Sequence, residues 1–219
     1  MAKKKLTKFE KWFRFMHRVK RCVYTPLFPY KKHMPLFGYE DRPYIIVGNH
    51  LSLLDVVFAA SAIPDKPVHF MAKKELFEKG LMKKFVTKCQ CIPVNRDGND
   101  LKAVMQAMKY LKSGESVVIF PEGTRNKTEE VFLPFRSGAT ALSIKTKTPI
   151  IPVVQIKKIR FLRKSHAIYG EPIEFTEYYD KKITDDDIKK CDEELRNKML
   201  ELHAELSQML NKKKKRKQS

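Results

Sequence analysis

The chain has 219 residues, with 45 Lys+Arg against 25 Asp+Glu for a formal net charge of +20, and its residues are 42% hydrophobic and 11% aromatic. That length suits one domain, and the apolar content is too high for a disordered chain. The longest nearly apolar stretch, residues 56–63, falls far short of the roughly 20 residues that a membrane-spanning helix needs. Residues 1–42 carry net +9 and residues 212–217 another +6, which leaves +5 for the body between them. The basic ends call for a polyanionic partner: nucleic acid, an anionic membrane surface or an acidic carrier protein.

Leu6, Phe9, Trp12, Phe13, Met16, Val19 and Val23 recur at helical spacing, with Lys8, Lys11, Arg14, Arg18 and Arg21 mainly on the other side of the wheel. Two uses of this apolar face stay open: packing on the core, or lying in a lipid headgroup layer with the basic face toward anionic lipid. Nucleic-acid helices rarely need Trp12, Phe13 and Met16 on one side. Pro26, Pro29 and Pro35 read as the end of the helix and an irregular crossing into the body.

From residue 44 onward, short β-rich runs at 44–47, 68–71, 91–94, 116–120, 150–154 and 166–169 alternate with helical patterns at 53–62, 100–112 and 137–146. The alternation predicts a single α/β domain with a mostly parallel, mixed sheet flanked by helices and ligands off the strand ends. Thr184 followed by Asp185, Asp186 and Asp187 starts a helix whose stripe is Ile188, Cys191, Leu195, Met199, Leu202, Leu206 and Met209. The expected organisation is a basic amphipathic membrane-association segment at 1–42, the domain at 43–211 and a basic tail at 212–219. Of the four cysteines, Cys89 and Cys91 lack metal-site spacing, so free thiols, no metal and a reducing setting are expected.

The segment from Gly48-Asn49-His50 to Asp55 leaves a buried-looking strand and enters an apolar helix, with Asp55 one turn into it. A neutral imidazole at a strand end can take a proton from a hydroxyl, and a carboxylate one turn on can hold the other ring nitrogen. A helix-capping loop with a satisfied histidine would give the same pattern. Phe120-Pro121-Glu122-Gly123-Thr124-Arg125 also follows an apolar strand, with Gly123 for a tight turn and Arg125 as a planar cation suited to phosphate. Asn95-Arg96 brings a second guanidinium to a third strand end.

His50-x4-Asp55, the 120–125 segment and Pro149 to Val153 together resemble, in order and spacing, the glycerolipid acyltransferases of the 1-acylglycerol-3-phosphate acyltransferase type. The segment from Lys74 through Arg96 resembles that family's second block, with Gln90 where a Gly is usual and Asn95 where an Asp is usual. The resemblance implies an enzyme that moves an acyl group from a thioester, acyl-CoA or acyl-carrier protein, to the sn-2 hydroxyl of lysophosphatidic acid, giving phosphatidic acid for phospholipid biosynthesis. It implies His50 as general base, Asp55 as its orienting partner, and Lys74, Arg96, Glu122, Gly123, Thr124 and Arg125 at the acceptor's glycerol and phosphate. It implies no cofactor beyond the co-substrate, and a peripheral or monotopic place on the cytoplasmic face of the cell membrane, without nucleic acid. Glycerol 3-phosphate or another lysophospholipid is the alternative acceptor. A non-catalytic basic adaptor, binding membrane or nucleic acid, is the alternative class, and it would have no use for His50 and Asp55 together.

Overall fold

The computed structural model describes residues 7–34, 40–63, 67–95 and 100–215. Its strands are β1 (Tyr30–His33), β2 (Ile45–Gly48), β3 (Val68–Lys73), β4 (Ile92–Val94), β5 (Ser116–Ile119), β6 (Ile150–Gln155) and β7 (Ser165–Tyr169). They form one sheet in the order β1-β7-β6-β2-β5-β3-β4, in which every neighbouring pair is parallel except β6 and β7. Every residue of the central strands β2, β5 and β6 is buried. Such strands must be apolar on both faces, because helices cover a parallel sheet on both sides.

The helices are α1 (Lys8–Val19), α2 (Thr25–Leu27), α3 (Asp55–Ala60), α4 (Gly80–Lys88), α5 (Leu101–Lys112), α6 (Gly138–Thr146) and α7 (Asp185–Lys215). One core lies where α5, α6 and α7 set Ala107, Leu142, Leu195 and Met199 against Ile45, Val117 and Val154. The other gathers Phe58 and Ala59 of α3 with Tyr44, Ile46, Val118 and Tyr169. The start of α7 is fixed by Thr184, whose hydroxyl accepts the Asp187 N–H at 3.2 Å while its own N–H donates to the Asp187 carboxylate at 3.0 Å.

The basic amino-terminal segment is tied to the body. α1 begins at a capping box between Thr7 and Glu10, Phe9 is buried and stacks on His69 at 5.0 Å, and Phe13 joins the second core. Beyond it, Lys20 Nζ donates to Ser61 Oγ at 2.9 Å and Lys32 Nζ to the Ser61 carbonyl at 2.8 Å. Part of the apolar face of α1 therefore covers the core, whereas Phe15 on α1 and Val23 in the helical turn beyond it stay exposed.

The structure corrects the sequence reading in four places. Residues 30–33 form an edge strand paired with β7, where an irregular crossing was expected. Pro26 sits in the first turn of α2, a position that needs no N–H, so the helical path runs on to Leu27. α4 was not expected, and α7 continues through Lys215 into the basic run. Pro35 and the last residues of the tail lie outside the described residues.

Candidate active site

β2, β5 and β3 are mutually parallel in register, so the loops after Gly48, Ile119 and Lys73 leave one edge of the sheet. Asn49 is clamped there, its amide donating to the Gln155 carbonyl at 2.9 Å and its oxygen accepting the Gln155 N–H at 3.0 Å. The clamp ties the β2 exit to the end of β6 and fixes where His50 emerges.

The His50 ring places Nδ1 3.0 Å from Asp55 Oδ2. The same oxygen accepts the backbone N–H groups of Leu51 and Ser52 at 2.6 Å each, and Oδ1 accepts the Ser52 hydroxyl at 2.7 Å. Asp55 is 1% exposed, so these donors replace the water it has lost. A carboxylate at Nδ1 requires that nitrogen to carry the proton, which in the neutral ring leaves the lone pair on Nε2. The ring stacks on Phe120 with centroids 4.5 Å apart, and its side chain keeps 14% exposure. Part of the His50 side chain therefore remains accessible at the strand end, unlike the Asp55 carboxylate.

The second loop is laced to the first. The Glu122 carboxylate accepts the His50 N–H at 2.8 Å and the Leu133 N–H at 2.9 Å, and Asn126 donates its N–H to the His50 carbonyl at 2.7 Å. Burial pushes the Glu122 carboxyl up, and the two backbone N–H groups pull it partly back. With 4% exposure and both oxygens engaged, Glu122 is built as a brace under the site. The turn closes through Gly123 N–H to the Phe120 carbonyl at 3.0 Å, with Gly123 at φ +66°, a left-handed conformation that favours glycine. Thr124 and Arg125, just past it, are exposed.

Lys74 opens a 3-10 turn directly after β3, on the same edge but two strands from β2. Arg96 lies outside the described residues, and Asn95 before it donates its N–H to Asp100 Oδ2 at 2.7 Å. Gln90 stands at φ +49°, so the position where the family commonly has glycine is one that asks for a left-handed backbone. Sequence reasoning missed Asn49, Asn126 and Arg136. The Arg136 side chain lies over Gly123, where a Cβ would come 2.9 Å from its Nε. The polar pair Asn49 and Asn126 beside two strand ends was a readable signal, but nothing in sequence joins Arg136 to Gly123.

A mostly parallel α/β sheet with a histidine–carboxylate pair at one strand end and an arginine-bearing turn at the next is an enzyme architecture that can take a proton from a hydroxyl beside an anion-binding turn. A family profile described as Acyltransferase matches residues 30–156, and the chain belongs to that family. It is 30% identical over 148 residues to a 1-acyl-sn-glycerol-3-phosphate acyltransferase of Bacillus subtilis (strain 168), spanning 65% of this chain and 71% of that protein. It is 37% identical over 127 residues to a protein of the same description from Helicobacter pylori (strain J99 / ATCC 700824), spanning 56% of this chain and 52% of that one. The crystal structure of a 1-acyl-sn-glycerophosphate (LPA) acyltransferase from Thermotoga maritima shares the fold, with a TM-score of 0.58 and 21% identity over 89% of this chain and 79% of that one.

Proposed function

We propose that this acyltransferase acylates the sn-2 hydroxyl of lysophosphatidic acid, with an acyl thioester of coenzyme A or of acyl-carrier protein as donor. The observation that carries the reading is the His50–Asp55 pair, in which Asp55 is buried while the His50 side chain keeps 14% exposure. Relatives that carry the name 1-acyl-sn-glycerol-3-phosphate acyltransferase support the choice of acceptor.

In this mechanism Nε2 of His50 removes the hydroxyl proton as that oxygen bonds to the thioester carbonyl carbon, and Asp55 stabilises the imidazolium formed. The carbon–sulfur bond of the tetrahedral intermediate then breaks, and the departing thiolate takes the proton from the ring. The acyl group passes directly to the acceptor, so no covalent acyl-enzyme forms. Arg125 and Arg96 bind the acceptor phosphate, Gly123 and Thr124 shape the turn beneath it, and Lys74 adds positive charge at the same edge. Glu122 acts through the backbone of His50.

Among the described residues no helix is long and apolar enough to cross a membrane. The protein works from the cytoplasmic face of a membrane as a peripheral or monotopic protein, where its acceptor and product reside. The test is product formation on anionic vesicles with three acceptors in parallel: lysophosphatidic acid, glycerol 3-phosphate and lysophosphatidylcholine. Preference for lysophosphatidic acid is expected with one thioester donor or both. Preference for either other acceptor would replace the assignment.

A further inference from the structure

α4 is an unusual element for a protein in water. Of its nine residues only Val86 is buried, while Leu81 is 84% exposed, Met82 49% and Phe85 46%. Three- and four-residue spacing sets Leu81, Met82 and Phe85 on one side of the helix, while Lys84 and Lys88 flank them one above the other and Lys83 lies beyond. Large apolar side chains clustered on one exposed helix mark a contact surface, and a flank of lysines specifies that the partner is anionic.

The surface continues onto α1. Lys88 Nζ sits 3.8 Å above the Trp12 ring, and Trp12 stacks on the exposed Phe15 at 5.6 Å. The face is therefore made of two helices joined by a cation–π contact, with aromatic and aliphatic groups bordered by ammonium groups. Such a composition suits the boundary between headgroups and acyl chains, where apolar burial and attraction to anionic lipid act together.

Its position matters as much as its chemistry. The chain leaves β3 at Lys73, on the edge that carries His50 and Glu122, and β4 begins at Ile92 opposite Met71. The segment between, which includes α4, starts and ends near that edge of the sheet. We propose that α4, with Trp12 and Phe15 of α1, is the face on which the protein rests on an anionic lipid bilayer, so that a lipid acceptor reaches the histidine edge without crossing bulk water. This rests on the membrane-surface reading above and says where the contact lies.

The experiment compares the full-length chain with Leu81→Ser/Met82→Ser/Phe85→Ser and with Lys83→Glu/Lys84→Glu in vesicle co-sedimentation. Vesicles are phosphatidylcholine alone or phosphatidylcholine with about 30 mol% phosphatidylglycerol, at low salt and at about 0.15 M. All five side chains are exposed, so circular dichroism and thermal melts of the variants should match wild type. The serine variant should lose about tenfold or more of its partition into the anionic vesicles, and the glutamate variant should lose the preference for phosphatidylglycerol. Wild-type protein that fails to bind, or a serine variant that binds as well as wild type, overturns the proposal.

Acylation of lysophosphatidic acid dispersed below its aggregation threshold is measured on the same samples. Vesicle binding that depends on α4, without any acylation, sinks the acceptor assignment and leaves this inference standing. Acylation with vesicle binding indifferent to α4 does the reverse. A serine variant that binds vesicles normally and fails only with acyl-carrier protein as donor assigns the face to that protein, which also overturns the proposal.

Discussion

Asp55 Oδ2 lies 3.0 Å from Nδ1 of His50 and also receives the N–H groups of Leu51 and Ser52 at 2.6 Å each. One buried oxygen thus holds both the imidazole and the loop that presents it. Asp55→Asn keeps the shape but places an amide where an ionised acceptor is needed. The expected loss is on the order of a thousandfold in kcat, with KM for either substrate changed little. A kinetic comparison at saturating donor checks it, and a variant within tenfold of wild type would remove Asp55 from the mechanism.

Glu122 gives a pH-dependent signature. Burial raises its folded-state pKa above the unfolded value. A carboxyl shifted in that direction adds stability that is fully present below the unfolded pKa, near 4.5, and is lost as pH rises through the folded one. Glu122→Gln removes the titration and sets an amide NH2 against one of the two backbone donors, at a cost of about 1–3 kcal/mol. Urea melts should show wild type most superior to Glu122→Gln at acid pH, with the gap narrowing toward neutrality. A gap that widens with pH contradicts the environment described for this carboxyl.

The 120–125 turn predicts a division between substrates. Arg125→Ala should raise KM for the acceptor about 10- to 100-fold and leave KM for the thioester donor unchanged, since a charge-assisted phosphate contact is lost. Gly123→Ala should weaken acceptor binding in the same direction, because its Cβ would meet the Arg136 side chain at 2.9 Å from Nε and a φ of +66° is costly for alanine. Equal effects on both substrates would place the phosphate elsewhere.

Gln90 is a place where the chain carries backbone strain. At φ +49°, replacement by glycine should stabilise the protein by about 0.5–1 kcal/mol, read as a higher melting temperature with kcat unchanged. Unchanged or lower stability would mean that the Gln90 side chain contributes more than its backbone conformation costs.

Much of this was legible in the sequence for a physical reason. The β2, β5 and β6 segments are buried runs dominated by Ile and Val, as strands covered on both faces of a sheet require. His50 and the 120–125 turn stood out because each follows such a run at once. β1 stayed hidden because Tyr30-Lys31-Lys32-His33 shows no apolar alternation: an edge strand pairs on one side only and can carry lysines. α4 stayed hidden because a helix with a single buried residue has no core-facing stripe to read. Arg136 comes to Gly123 through the path of the loop, whose Arg136 N–H donates to the Pro121 carbonyl at 2.9 Å. Sequence spacing does not encode that return.

If His50 takes the hydroxyl proton in a single direct transfer, its removal stops the reaction and no acyl group ever rests on the protein. The deciding experiment is the initial rate of phosphatidic acid formation from lysophosphatidic acid and an acyl thioester by wild type and His50→Ala, with the protein's intact mass recorded after incubation with donor alone. Expected are a loss of at least about a thousandfold in the variant, an unchanged circular dichroism spectrum and no acyl adduct on wild type. A His50→Ala rate within tenfold of wild type, or an acyl adduct that lysophosphatidic acid discharges, would contradict direct transfer through His50.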